Sequence, residues 1–136
     1  MYGAPLTACY PPRPSAALLY GAPNSPLVQP RNVILGSSLA AAIAVGVQAS
    51  VAAGALPRYV AVPLAPALAL AVTQRVGLLH PPAGAAALIF VIGEERITSL
   101  GLLYLVLPLL VGNLLCVLVA MTINNASHVR QYPVWY

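Results

Sequence analysis

Charge is what this chain has least of. Charged side chains make up 6% of its 136 residues, against roughly a quarter in an ordinary soluble domain. Lysine and aspartate are absent. Arg13, Arg31, Arg58, Arg75, Arg96 and Arg130 supply all the positive charge, and Glu94 and Glu95 all the negative. The arginines are scattered rather than gathered on one face, so nucleic acid is not an expected partner. Neither acid has a plausible catalytic partner, since the only histidines are His80 and His128, and no enzymatic activity is expected. Cys9 and Cys116 lack metal-ligand spacing and read as small unpaired side chains. No charged stretch leads into an apolar one at the N-terminus, so no signal or transit peptide is expected.

What the chain does have is apolar length. Hydrophobic residues form 60% of it and the mean hydropathy is +0.88, which makes it a membrane protein in contact with a lipid bilayer. Residues 1–32 hold half of the 14 prolines and form a Pro-rich segment with room for one short helix over Ser15 to Gly21. Residues 33–125 form the transmembrane domain, and residues 126–136 an aromatic and basic tail with the character of a headgroup-level anchor.

Within that domain, Val33 to Ala55 is an uncharged run that covers the roughly 30 Å hydrocarbon core as a helix. Gly36, Ser37, Ser38, Gly46, Ser50 and Gly54 give it small faces for close helix contact. Leu56 to Tyr59 is a turn. The next apolar tract, Val60 to Gly93, would reach about 50 Å as one helix and must fold back. The break falls at Leu79-His80-Pro81-Pro82-Ala83-Gly84-Ala85, because proline cannot donate an N–H and pushes the residue before it out of the helical region. The expected path is a span from about Tyr59 to Arg75, an extended return through His80 to mid-membrane, and a re-entrant half-helix from Pro82 or Ala83 back out to Gly93. Glu94-Glu95-Arg96 is then a solvated loop, Thr98 to Ile123 the last span, and Asn124-Asn125 its C-terminal stop. The expected fold is thus all-α, with three transmembrane helices plus a broken half-helix. Arg13, Arg31, Arg75 and Arg96 are expected on one side of the membrane, Arg58 and Arg130 on the other.

An internal match supports broken segments in pairs. Setting Tyr10-Pro11-Pro12 through Tyr20 on His80-Pro81-Pro82 through Phe90 aligns the Pro-Pro pairs, two alanines, Leu18 with Leu88, and Tyr20 with Phe90. Weak internal symmetry around short interrupted segments points to a transporter-like site between repeats.

A half-helix starting at Pro82 or Ala83 would offer free N–H groups and the positive end of its dipole to a small anion, with no side chain at Gly84 to block approach. His80 beside it has the ordinary pKa range to carry a proton with a weak acid, and Arg31 and Arg75 on the same face would concentrate anions. The candidate binding set is therefore His80, Pro81, Pro82, Ala83, Gly84, Arg31 and Arg75. The alternative reading of the same residues is structural: His80 satisfies carbonyls freed by the break, and the arginines meet lipid phosphates. No metal and no cofactor is expected, although a single His or a carbonyl suffices for a pigment or lipid contact.

The blocks Leu18-Leu19-Tyr20-Gly21-Ala22-Pro23-Asn24-Ser25-Pro26-Leu27 with Gln29-Pro30-Arg31-Asn32, then His80-Pro81-Pro82-Ala83-Gly84-Ala85, then Asn124-Asn125 with Arg130-Gln131-Tyr132-Pro133, resemble in order and spacing the HPP family of integral membrane proteins. The resemblance covers residues 15–136. It implies a four-span protein of bacteria, algae and plants, with plastid members linked to nitrite transport, and hence a plastid membrane (thylakoid or inner envelope). A mitochondrial or bacterial inner membrane is the other expectation. Two positions depart from the family pattern: a Pro-containing segment stands before Ser15 in place of the first span, and Ser37 stands where a histidine is expected. The resemblance implies transport of a small anion such as nitrite. A chain lacking one span would instead serve as an accessory subunit of a photosynthetic or respiratory membrane complex, with other membrane chains, or further copies of itself, as partners.

Overall fold

A computed structural model describes residues 12–93, 95–127 and 129–134. Among these the chain is helical and has no strand: α1 is Pro12–Gly21, α2 Asn32–Ala52, α3 Arg58–Arg75, α4 Pro81–Ile92, α5 Glu95–Thr98 and α6 Leu105–Asn125. Cys9, Glu94, His128, Trp135 and Tyr136 lie outside the described residues.

Two helices, α2 and α6, are long and apolar enough to cross a bilayer, each with 21 residues. The expectation of three transmembrane helices is corrected to this pair. The third expected span does form a helix, α3, but arginines at both ends and Pro63 and Pro66 inside dilute its apolarity. Its buried side is Ala61, Ala65, Ala69 and Thr73, one residue every four. Side chains this small let a neighbouring backbone come close, which is how helices gain dispersion contact where lipid offers no hydrophobic driving force. The buried face of α2 is likewise Ser37, Ala40, Ala41, Ala44 and Val47. Of the small residues expected to make it, Gly36 and Ser37 are buried, whereas Gly46 faces open space and Ser50 turns back onto the Gly46 carbonyl.

Both long helices begin with a wide π-helical stretch, Asn32–Gly36 in α2 and Leu105–Val111 in α6. In α6 this stretch holds Pro108, whose ring would clash with a carbonyl of the preceding turn in a regular α-helix.

The directions of the helices follow from their contacts. Val33 near the start of α2 clusters with Val117 and Ala120 late in α6, while Ala40, Ala41 and Ala44 cluster with Leu109 early in α6, so α2 and α6 run antiparallel. The same three alanines meet Ala83, Ala86 and Ala87, and Gly36 lies against His80, so α4 runs parallel to α2. Ser15 of α1 reaches His80, and Leu19 reaches Ala120 and Asn124, so α1 runs parallel to α6. The chain therefore contains two units of one design, a short helix opening near a Pro-Pro pair followed by a long span with a π start, inserted in opposite directions. The odd helix between them, α3, forces the inversion.

This topology corrects two expectations. The half-helix does not return to the Arg75 side. It runs on beside the start of α3, where Arg58 Nη2 lies 3.2–3.4 Å from the carbonyls of Val91, Ile92 and Gly93 and neutralises the negative end of α4. In consequence Arg96 sits at the Arg58 end and Arg130, after α6, at the Arg31 and Arg75 end. The side chain of Arg13 is not among those described.

Candidate functional site: the His80 junction

The break is built by two opposite backbone preferences placed side by side. At the end of α3, Gly77 takes φ +69, open to glycine without a Cβ clash. The Leu78 N–H then donates to Thr73 O at 2.8 Å and the Gly77 N–H to Gln74 O at 3.1 Å, which closes the helix with a Schellman turn. Three residues on, Pro81 holds His80 extended at φ −136, ψ 100 and occupies the first position of α4.

His80 caps α4 with its backbone and not with its ring. The imidazole is fully buried and turns into the bundle. Nδ1 donates to the Leu27 carbonyl at 2.8 Å, an assignment fixed by the fact that a carbonyl only accepts. Nε2 meets Ser15 Oγ at 2.8 Å. In the neutral ring this nitrogen accepts the serine proton, so both ring nitrogens are satisfied. Asn32 Nδ2 spans the same region, donating to Leu79 O at 3.2 Å and Pro26 O at 3.0 Å. Gly36 completes the enclosure: a Cβ there would run into the Leu78 carbonyl oxygen.

The candidate residues divide sharply. His80, Pro82, Ala83 and Gly84 are buried together at the junction, with Pro81 exposed beside them. Gly84 faces Leu70, whose Cγ would lie 2.9 Å from a Cβ at that position, so its missing side chain serves close packing of α4 on α3. Arg31 and Arg75 are exposed, and neither bonds the imidazole. The expected row of free amides is shorter than the sequence suggests. Pro81 and Pro82 have no N–H, and that of Ala83 donates to His80 O at 2.9 Å.

The partners of His80 come from segments distant in the sequence. Ser15, Leu27, Asn32 and Gly36 lie far from His80 in the chain, and nothing local marks them. The aromatic and basic composition of the tail predicts a headgroup anchor, yet Tyr132 is 1% exposed and its hydroxyl donates to Val28 O at 2.8 Å. The Asn125 side chain fixes the fold-back, accepting from the Tyr132 N–H at 2.9 Å and donating to the Tyr132 carbonyl at 2.6 Å. For Tyr132 the expected anchor is thus corrected to a strap over the α1–α2 connection, because the Val28 carbonyl satisfies its hydroxyl inside the bundle, while Trp135 and Tyr136 of that expectation lie outside the described residues.

The model of the HPP transmembrane region matches residues 6–133. The chain belongs to the HPP transmembrane family. Two transmembrane proteins of Dictyostelium discoideum are similar to it, each 37% identical over 122 residues and 90% of this chain. The HPP chain spans 42% of the length of one and 39% of the other, about two fifths of these curated relatives. No solved structure matches it. The His80 junction thus lies inside an HPP membrane domain, where a buried ionisable side chain is costly unless it has work to do.

Proposed function

We propose that this HPP domain moves a small monovalent anion of the nitrite class across the membrane, with the His80 junction as its binding point. The observation that carries the reading is the contact between Ser15 and His80 at 2.8 Å, where two oppositely inserted short helices meet near their N-terminal ends. Helix N-termini carry positive partial charge, and two of them converging inside an apolar bundle favour an anion at the point of convergence. Ser15 and His80 hold that point closed by bonding each other. An anion accepting from the serine hydroxyl and from a protonated imidazole replaces their mutual bond, and the proton travels with it as the conjugate acid. Arg31 and Arg75, exposed at the same end of the bundle, raise the local anion concentration. The family resemblance supports a plastid membrane as the setting.

Reconstituted proteoliposomes test this. The expected result is saturable nitrite uptake that His80→Ala abolishes and Ser15→Ala weakens. No uptake by protein that runs as one folded species overturns it.

A second reading is favoured by the exposure of α6, of which 28% is buried within the chain. The rest awaits lipid or other chains, and an accessory subunit of a photosynthetic or respiratory complex would cover it with protein. Native mass spectrometry from mild detergent separates the two: co-migration with other membrane chains supports the subunit, a free homo-oligomer the transporter.

A further inference from the structure

The end of the bundle away from His80 holds a cavity of about 320 Å³, between the last turns of α2, the end of α4 and the α5 segment. It lies about 15 Å along α4 from His80, at 1.5 Å per residue. Its polar wall is Gln48, Glu95, Thr98 and Ser99. We propose that this cavity binds a primary ammonium group, on a soluble amine or on the headgroup of phosphatidylethanolamine.

Acceptors outnumber donors along this wall. Ser99 Oγ gives its proton to the Arg96 carbonyl at 3.3 Å and Thr98 Oγ1 gives its own to the Glu95 carbonyl at 3.3 Å, so the Ser99 hydroxyl meets a further partner only as an acceptor. Glu95 adds a carboxylate, one of two in the sequence. Gln48 Oε1 is buried without a hydrogen-bond partner, an arrangement that costs free energy unless a donor completes it. Among the described residues no arginine lines the cavity, although the chain carries a net charge of +4. The C-terminal turn of α2 ends at its wall with Ala52, adding the negative end of a helix dipole. A group rich in N–H donors and positive in charge fits such a wall, and an anion does not. The remaining wall, Val45, Ala49 and Phe90, accommodates a short alkyl stem.

The cavity also sits where a headgroup arrives, since α5 follows α4 directly at the membrane end that holds Arg58. The two sources are separated by the lipid used. In nanodiscs of phosphatidylcholine alone, whose headgroup has no N–H, the full chain is titrated with ethylammonium and with tetramethylammonium while thermal unfolding is followed. The expected result is a saturable rise in melting temperature with ethylammonium, none with tetramethylammonium, and affinity roughly tenfold or more weaker in Glu95→Gln and in Gln48→Leu. In a second arm, half the lipid is phosphatidylethanolamine. A rise there in the wild type that Glu95→Gln lacks assigns the lipid headgroup, and a rise only with free ethylammonium assigns a soluble amine. Equal responses to both cations, an unchanged Glu95→Gln, or no rise in either arm overturns the proposal. Glu95 is exposed, so its variant folds and the comparison holds.

Discussion

Ser15 and His80 stand 65 positions apart in the sequence, and their side chains meet at 2.8 Å inside the bundle. The contact ties the first short helix of the chain to the second. The other imidazole nitrogen ties both to the α1–α2 connection through Leu27. Three segments thus share one side chain, and its removal should be felt in all of them.

His80→Ala leaves the Leu27 carbonyl and the Ser15 hydroxyl without their partner and opens a void, for an expected loss of about 2–4 kcal/mol. Ser15→Ala removes one bond and should cost about 1 kcal/mol. The double variant should cost less than the sum, with a coupling of roughly 1 kcal/mol in a thermal or denaturant unfolding cycle in detergent. Strict additivity would show that the two side chains do not bond.

Gly36 and Gly46 lie on the same helix and predict opposite behaviour. A methyl group at Gly36 strikes the Leu78 backbone oxygen, which cannot swing aside as a side-chain tip can, so Gly36→Ala should cost about 1–3 kcal/mol or more. Gly46 has nothing within 4 Å of a new Cβ, and Gly46→Ala should be neutral or stabilising by up to about 1 kcal/mol. Melting temperatures of the two purified variants decide the matter.

The strap formed by the tail should open when its clasp is cut. Asn125→Ala removes both bonds to the Tyr132 backbone, and trypsin cleavage after the exposed Arg130 should speed up about tenfold for a local loss near 1.4 kcal/mol. An unchanged cleavage rate, with the rest of the protein folded, would mean that the tail is held by other contacts.

Burial pushes the Tyr132 phenol above its ordinary value of 10.0. The folded chain therefore keeps a proton that the unfolded chain releases. The resulting stability is intact below pH 10 and declines as pH rises beyond it. Tyr132→Phe should lose the Val28 bond at every pH and flatten the alkaline decline, as read by melting temperature against pH for both proteins. Parallel curves would exclude Tyr132 as the group concerned.

The break at His80-Pro81-Pro82 was legible because proline acts on its own φ and on the residue before it, whatever surrounds them. The end of the last helix at Asn125 was legible as well, and so was the run that became α2. The course of α4 was not. Whether a half-helix turns back or carries on depends on which charge meets its far end, and Arg58, well upstream in the chain, meets it. The role of Tyr132 was hidden for a similar reason: aromatic and basic residues in a tail suit a lipid interface equally well, and only the Val28 carbonyl and the Asn125 side chain select burial.

Sequence by itself determined the medium and the punctuation of this protein. A chain so poor in charge and so rich in apolar length dissolves in lipid, and proline and glycine stop its helices through local sterics that need no partner. Tertiary structure alone decided which ends meet: the inverted pairing of the two short helices, the bonds to both nitrogens of His80, and the side of the membrane on which Arg96 and Arg130 emerge. Those depend on contacts between segments far apart along the chain, and small, nearly featureless alanine faces carry no local mark of the helix they will touch.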